Sequence, residues 1–262
     1  MRKVSIKTAE QIEILRLNNQ LVSATLAELA PMIRPGVRTI ELDRRAEEFI
    51  RDHGAVPGFK GFEGFPYTLC VSVNDVVVHG FPSEYELCEG DIVSVDCGTV
   101  LHGFYGDSAF TFGVGEVSQE ASALLKATRE SLDRAIAVAI AGNRTGDIGA
   151  AVQGFVEPLG YGVVREMVGH GLGRSMHEDP EVPNYGRAGN GKLLEAGLVI
   201  CIEPMITLGR HAIFQERDGW TIRTRDHSLA AHFEKALAIS PSGKPADVLT
   251  SFDLIDAALS KG

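Results

Sequence analysis

Four stretches of the chain repeat their apolar residues every three or four positions, the spacing that lines them up on one face of an α-helix. The first opens at Thr8, which stands three residues before Gln11 as in a capping box, and its stripe reads Ile14, Leu17, Leu21 and Ala24. Thr39 is placed to cap a second, with Leu42, Ala46, Phe49 and Ile50 on one face and an end near Gly54. Ser118 opens a third that carries Leu125, Leu132, Ile136 and Ala139 as far as Gly142. A fourth carries Ile148, Val152, Phe155 and Val156 and ends near Gly160. The second and fourth echo each other. Gly36-Val37-Arg38-Thr39-Ile40-Glu41-Leu42 aligns with Gly142-Asn143-Arg144-Thr145-Gly146-Asp147-Ile148 at an offset of 106 residues. A repeat of that length is too long for a solenoid unit, so it predicts two similar halves, each with two helices followed by strands.

Elsewhere the period is two. In 92–100, Val93, Val95 and Cys97 face one way and Ser94 and Asp96 the other. A turn near His102-Gly103 returns the chain through Asp107, with Phe110 and Phe112 on the apolar face and Asp107 on the polar one. The expected hairpin has its back on the helices and two aspartates on its open face. In the second half, 199–203 is a buried-strand run that ends in Glu203, held extended by Pro204. Asp96 and Glu203 are 107 residues apart, one off the helix repeat, which makes them candidates for equivalent places in the two halves. Leu229, Ala231 and Phe233 then alternate with Ala230, His232 and Glu234. The tail from Ser240 is polar and then weakly helical from Phe252 to Leu259, and no function is assigned to it.

Composition narrows the class. Of 262 residues 44% are hydrophobic, enough for one large domain or two small ones and against disorder. With 25 Lys and Arg against 35 Asp and Glu, the formal charge is −10, so no overall basic footprint for nucleic acid is present. The stretch 1–19 has no apolar core of a signal sequence, and no run reaches the length of a membrane span. Cys70, Cys88, Cys97 and Cys201 show no CxxC spacing and are expected to be reduced thiols. The expected compartment is the cytoplasm.

The surplus acids matter most where they interrupt apolar strands. A buried ionised carboxylate must pair, protonate or bind a metal. Asp96, Asp107, Glu203 and Glu234 are four such groups, with few strand-borne Lys or Arg to match them. Two divalent cations would neutralise them, and bridging carboxylates let two ions share ligands, as in two-metal hydrolases. Gly169-His170-Gly171-Leu172-Gly173 sets a histidine among glycines, but its spacing matches neither a dinucleotide nor a P-loop pattern. Those glycines are expected where backbone passes close to a metal cluster. His177-Glu178-Asp179-Pro180 is not the zincin signature. His79 ends the apolar run 76–78, a setting more often that of a satisfied core histidine than of a site residue. His53, His102, His211, His227 and His232 have no comparable setting.

Together these residues resemble the type I methionine aminopeptidases of peptidase family M24, from about Ile6 to Pro245. The motifs that carry the likeness are Ser72-Val73-Asn74-Asp75 leading to His79-Gly80, Val95-Asp96-Cys97-Gly98, Gly106-Asp107, Val168 to Gly173 through His177-Glu178, Ile202-Glu203-Pro204-Met205, and the strand ending at Glu234. The resemblance implies an α+β pita-bread (creatinase/aminopeptidase) fold: two pseudo-symmetric αβ halves around a central dinuclear metal site. A single catalytic domain over 1–262 is expected, with halves at about 8–115 and 118–240 and a tail at 241–262. It further implies that Asp96, Asp107, His170, Glu203 and Glu234 are metal ligands. Asp107 and Glu234 would bridge two ions, Asp96 would hold one, and His170 with Glu203 the other. His79 and His177 would contact substrate, and Glu203 would serve as general base.

By the same resemblance Phe59, Phe62, Phe65, Cys70, Met176 and Trp220 fall at or near a methionine pocket. Some family members carry Cys or Tyr where this chain has the three Phe residues, and an aromatic at Met176. The implied activity is removal of the initiator methionine from nascent chains whose second residue is small and uncharged. The implied cofactors are two divalent ions of Co, Mn, Fe or Zn. Nascent N-termini are the expected partners, with transient ribosome contact, no nucleic-acid specificity, no membrane and a monomeric state. Glu203 and Glu234 stand only 31 residues apart, which leaves no room for the type II insertion. Two other readings stand beside this one. An X-Pro aminopeptidase or prolidase of the same fold usually carries an extra N-terminal domain, for which Asp96 comes too early. A metal-free pita-bread peptide-binding protein would lose ligands that this chain keeps.

Overall fold

The capping box forms as read. The Gln11 backbone N–H donates to Thr8 Oγ1 at 3.3 Å, and the Thr8 N–H donates to Gln11 Oε1 at 3.0 Å, opening α1 (Ala9–Leu29). The computed structural model describes residues 4–260. The first three residues of the stretch read for a signal sequence, and the last two of the tail, lie outside the described residues. The buried face of α1 differs from the expected stripe. Leu15, Asn18, Asn19, Val22, Leu26 and Leu29 point inward, while Leu17 is 54% exposed and Ile14 and Ala24 are half-buried. Two asparagines disguise the true face, because both are needed inside to pair with backbone of a neighbouring hairpin.

Helices α2 (Thr39–Asp52) and α4 (Thr145–Val156) begin alike, with α3 (Gln119–Val138) between them. Ser118 caps α3 as expected, accepting from the Ala121 N–H at 3.1 Å. Thr39 is not the cap of α2. Arg38 takes that position, and the Thr39 hydroxyl instead accepts from the Ser83 N–H (2.8 Å) and donates to the Ser83 carbonyl (3.1 Å). The echo between the halves extends into their hydrogen bonds. Thr39 N–H reaches Tyr85 O and Leu87 N–H reaches Val37 O; Thr145 N–H reaches Lys192 O and Leu194 N–H reaches Asn143 O. The helices are offset by 106 but their partners by 107. The second half therefore carries one extra residue between helix and strand, which accounts for the 107 between Asp96 and Glu203.

The first half supplies β1 (Val56–Pro57), β2 (Leu69–Val73), β3 (Val76–Val78), β4 (Ile92–Leu101) and β5 (Phe104–Gly113). The second supplies β6 (Gly162–Val163), β7 (Gly169–Gly171), β8 (Glu178–Val182), β9 (Val199–Ile202), β10 (Met205–Thr207), β11 (Ile213–Gln215), β12 (Ile222–Thr224), β13 (Ala230–His232), β14 (Lys235–Ala238) and β15 (Asp247–Val248), followed by α5 (Asp253–Leu259). Among the described residues all strand pairings are antiparallel. β4 pairs with β5 on one side and with β1 and β2 on the other; β15, β14, β9, β7 and β8 form a second sheet in that order. Two three-stranded sheets, β13-β10-β6 and β11-β12-β3, complete the set, the latter joining the halves.

The β4–β5 hairpin turns at His102 (φ 52°) and Gly103 (φ 74°), the paired left-handed conformations that a tight two-residue turn requires. Its back meets α1. Asn18 Nδ2 donates to the Phe104 carbonyl at 2.6 Å, and Asn19 Oδ1 accepts from the Asp107 N–H at 3.1 Å. Its other face is not open, contrary to expectation. The second half runs along the free edge of β5, where Ser108 Oγ donates to the Glu234 carbonyl (2.6 Å), Thr111 Oγ1 to the His232 carbonyl (2.7 Å) and the Glu234 N–H to the Ala109 carbonyl (2.9 Å), and Ser94, Asp107 and Thr111 on the aspartate face are buried. Strand alternation could not show that the second half closes over this face. The tail also returns to the body: Phe252 and Ile255 are buried, the Ser251 N–H donates to Ser23 Oγ, and Arg129 pairs with Asp256. Among the described residues, no helix is long and apolar enough to cross a membrane.

Candidate active site

The seam between the halves gathers the acids. In the β4–β5 register Asp96 stands opposite Ala109 and Asp107 opposite Gly98, so the two carboxylates are diagonal neighbours on one face. Glu203 follows β9 and Glu234 precedes β14. Because Ile202 pairs with Lys235, the two glutamates extend from the same end of one strand pair. His170 sits at the centre of β7. Its Nε2 lies 3.6 Å from Asp107 Oδ2 and 3.6 Å from Glu203 Oε1. Donor atoms of Asp107, His170, Cys201 and Glu234 all fall within 4.8 Å of one another. Asp96 is outside that tightest group but lines the same cavity, as does Glu203.

The glycines flanking His170 have a reason in strand packing. A Cβ on Gly169 would come within 2.4 Å of the Cys201 carbonyl oxygen, and one on Gly171 within 2.4 Å of the Asp179 carbonyl oxygen. Backbone of the neighbouring strands crowds both positions. His79 follows β3 at φ 59°, a left-handed conformation that a non-glycine residue adopts at a cost of about 1 kcal/mol or more. His177 precedes β8, with its ring centroid 4.5 Å from that of His170 and 5.4 Å from that of Phe62.

Electrostatics mark the cluster as incomplete by itself. Burial, reinforced by mutual repulsion, pushes Asp107 and Glu234 well above the usual carboxylate range. Burial raises Asp96 to about 7, with His232 opposing the rise and Glu203 adding to it, and raises Glu203 to about 8. The histidines move the other way, chiefly by burial: His170 to about 3 and His79 to about 4. Asp96 Oδ1, Asp107 Oδ1, Glu234 Oε1 and His232 Nε2 are buried with no hydrogen-bond partner among the described residues. Unsatisfied oxygens and an imidazole facing one point are what a divalent cation requires, and a cation there would reverse the upward shifts of the acids. The residues present therefore fit a metal.

A cavity of about 190 Å³ runs from these acids to an apolar end lined by Phe59, Phe62, Phe65, Cys70, Met176 and Trp220. All six sequence-derived pocket residues meet there, together with Glu63, His79 and His177. The Trp220 ring packs edge-on to Phe65 at 5.0 Å and near His79 at 6.2 Å. The Phe59 ring lies where a Cβ on Gly98 would come within 2.4 Å of it, so any side chain at that strand position would have to displace the ring. A second space of about 370 Å³ leads away from the acids past Glu166, Asp179 and Glu181.

Sequence reasoning missed four buried groups here. His232, set aside with the unremarkable histidines, is 2% exposed, with Nε2 3.5 Å from Glu203 Oε2. Its place two residues from Glu234 on a polar strand face was the available signal. Asn19 holds the Asp107 backbone, Asn184 Nδ2 donates to the Glu203 carbonyl at 2.9 Å, and the Cys201 thiol stands beside Glu234. No sequence pattern distinguished these three.

The profile of metallopeptidase family M24 matches residues 13–240. A methionine aminopeptidase of Clostridium perfringens is 50% identical over 240 residues, 92% of this chain and 96% of that protein. The crystal structure of methionine aminopeptidase from Rickettsia prowazekii superposes with a TM-score of 0.93 at 36% identity, covering 95% of this chain and 100% of the other. An Xaa-Pro dipeptidase from Bacillus anthracis gives a TM-score of 0.77 at 25% identity, where 94% of this chain covers 62% of that one. These likenesses, which also support the two-halved pita-bread fold, run through the whole acid-lined seam, and the chain belongs to metallopeptidase family M24.

Proposed function

We propose that this protein is a methionine aminopeptidase that removes the initiator methionine from nascent chains whose second residue is small and uncharged. The observation that carries the reading is one cavity with unsatisfied carboxylates at one end and an apolar wall at the other, where a thioether side chain fits. That end suits methionine, and the relatives of this name match at higher identity than the prolidase-like neighbours. A peptide-binding protein without metal has no use for so many uncompensated acids.

Asp96, Asp107, His170, Glu203 and Glu234 would hold two divalent ions of Co, Mn, Fe or Zn, with Asp107 and Glu234 shared between them. When bound, such ions acidify a water molecule and polarise the scissile carbonyl. Glu203 then accepts the proton of the attacking water and delivers it to the leaving amine. His177 donates a hydrogen bond toward the carbonyl oxygen or the amide as charge develops, and His79 contacts the substrate beside it. Asp96 lies toward the free α-amine, which restricts cleavage to the first peptide bond. The aromatic wall, with Cys70 and Met176, receives the methionine side chain. We place the enzyme in the cytoplasm as a monomer in transient contact with the ribosome.

A panel of peptides tests this. With metal supplied, Met-Ala and Met-Gly peptides should be cleaved, while Met-Lys and N-acetylated peptides are spared. Equal cleavage of the acetylated peptide refutes the exopeptidase reading. Glu203→Gln should abolish turnover, and an unchanged kcat in that variant removes Glu203 from its role.

A further inference from the structure

Glu203 has two oxygens in two different settings. Oε1 lies 3.6 Å from His170 Nε2. Two donors with bonds of about 2.1 Å to one ion at a tetrahedral angle stand about 3.4 Å apart, so this pair has the separation of atoms that share a cation. Oε2 lies 3.5 Å from His232 Nε2. The His232 ring is 2% exposed, and its Nε2 is buried with no hydrogen-bond partner among the described residues. An orphaned ring nitrogen in such a place carries a desolvation cost that a nearby carboxylate would relieve. The backbone around both residues is fixed. Asn184 holds the Glu203 carbonyl, Pro204 follows it, and the His232 N–H and C=O are both bonded to Thr111 Oγ1. Only the carboxylate has freedom to close the gap, by about 0.5 Å.

We infer that His232 is a positioning residue for Glu203, donating its Nε2–H to Oε2 and leaving Oε1 beside His170 for the cation. The inference rests on the functional reading above, in which Glu203 both ligates and carries a proton. Those duties fall on different oxygens, and His232 sets the direction of the one that takes the proton. Asp96 faces the same ring from β4, so His232 stands between a carboxylate on the first half and one on the second. The residue touches no reacting atom and acts through Glu203.

The test compares wild type, His232→Leu and His232→Gln with manganese as the probe. It measures kcat and KM on a Met-Ala peptide, manganese affinity by titration calorimetry, and thermal melts. Loss of a hydrogen bond to a charged group predicts a kcat about 30-fold lower for His232→Leu, with KM within about twofold and manganese affinity within about threefold. His232→Gln, which retains an N–H donor, should restore kcat to within about threefold of wild type. The inference is overturned if His232→Leu keeps wild-type kcat. It is also overturned if the Gln and Leu variants are equally impaired, or if manganese affinity falls in step with kcat, which would make His232 a ligand. A wild type that cleaves no methionyl peptide refutes the functional reading instead. The manganese-loaded crystal structure then decides the matter: an Nε2–Oε2 distance under about 3.2 Å keeps the assignment, and a longer one ends it.

Discussion

Replacing Asn19 with leucine should make α1 more apolar and the protein less stable. Asn19 is fully buried; its Oδ1 accepts from the Asp107 N–H at 3.1 Å and from Thr250 Oγ1 at 3.4 Å, and its Nδ2 donates to the Leu15 carbonyl at 2.9 Å. The Leu15 carbonyl keeps its helical partner, and Thr250 Oγ1 still accepts from the Ala236 N–H, so neither loss is large. The Asp107 N–H is different. It is left unpaired in the interior, at about 1–3 kcal/mol, and it belongs to a residue we assign to the metal. The expected loss is about 2 kcal/mol, equivalent to about 6 °C in Tm for a chain of this size. Urea denaturation with an unchanged slope measures the stability, and calorimetry on the folded variant should show weaker manganese binding. The companion variant is Leu17→Gln. Leu17 is 54% exposed, so its replacement should stay within about 0.5 kcal/mol. If Asn19→Leu matches wild type while Leu17→Gln is the damaging change, the buried face of α1 is the apolar stripe and the reasoning is wrong.

Three further outcomes follow from the site and its supports. Asp96 and Glu203, raised to about 7 and about 8 chiefly by burial, keep protons in the folded chain that an unfolded chain releases near pH 4. Below about pH 6.5 the buried His79 and His170, held neutral in the fold, oppose this, so stability of the metal-free protein should fall most clearly as pH rises from about 6.5 to about 8, and bound cations should remove that slope; parallel melting curves with chelator and with manganese would count against it. Gly171→Ala places a Cβ 2.4 Å from the Asp179 carbonyl oxygen and 2.9 Å from its carbon, which are backbone atoms with little room to give. A loss of at least about 2 kcal/mol by urea denaturation is expected, and wild-type stability would show that β7 has slack. Lys7 is 6% exposed and paired with Glu178, so Lys7→Met should cost about 3 kcal/mol by leaving the carboxylate uncompensated. If the loss is no larger in Lys7→Met than in a Lys7→Met, Glu178→Gln double variant, the ion pair is not its source.

Much of the site could be read from the chain because acids inside apolar strands have few excuses. Asp96, Asp107 and Glu203 each break a run of β-branched or apolar residues, and the repeat linked two of them before any distance was known. The limits of that reading are equally physical. Asn18 and Asn19 look like gaps in a helical stripe, since periodicity counts apolar residues and cannot recognise an amide that binds backbone across the fold. Thr39 has the right residue type for a cap, yet its hydroxyl is taken by Ser83, a partner set by tertiary contact. His232 shares a strand face with Glu234, but that strand first had to be laid along the edge of β5 by the Thr111 and Ser108 hydroxyls. The supposedly open face of the hairpin was misjudged for the same reason: alternation tells which residues share a face, not what lies against it.

That closure has a consequence in time. A chain is made from its N-terminus, and early segments fold as they emerge. The β4–β5 hairpin, with two of the acids, can form while half the protein is still unmade, but its inner face then has no Glu234 and no His232 to cover it. The carboxylates stay wet and ordinary until the strand that bears Glu234 arrives. Their raised proton affinity comes from burial and from Glu203, both supplied by the closed structure. If the cluster holds cations as proposed, its ligand set is complete only once the segment bearing Glu234 has been made and docked.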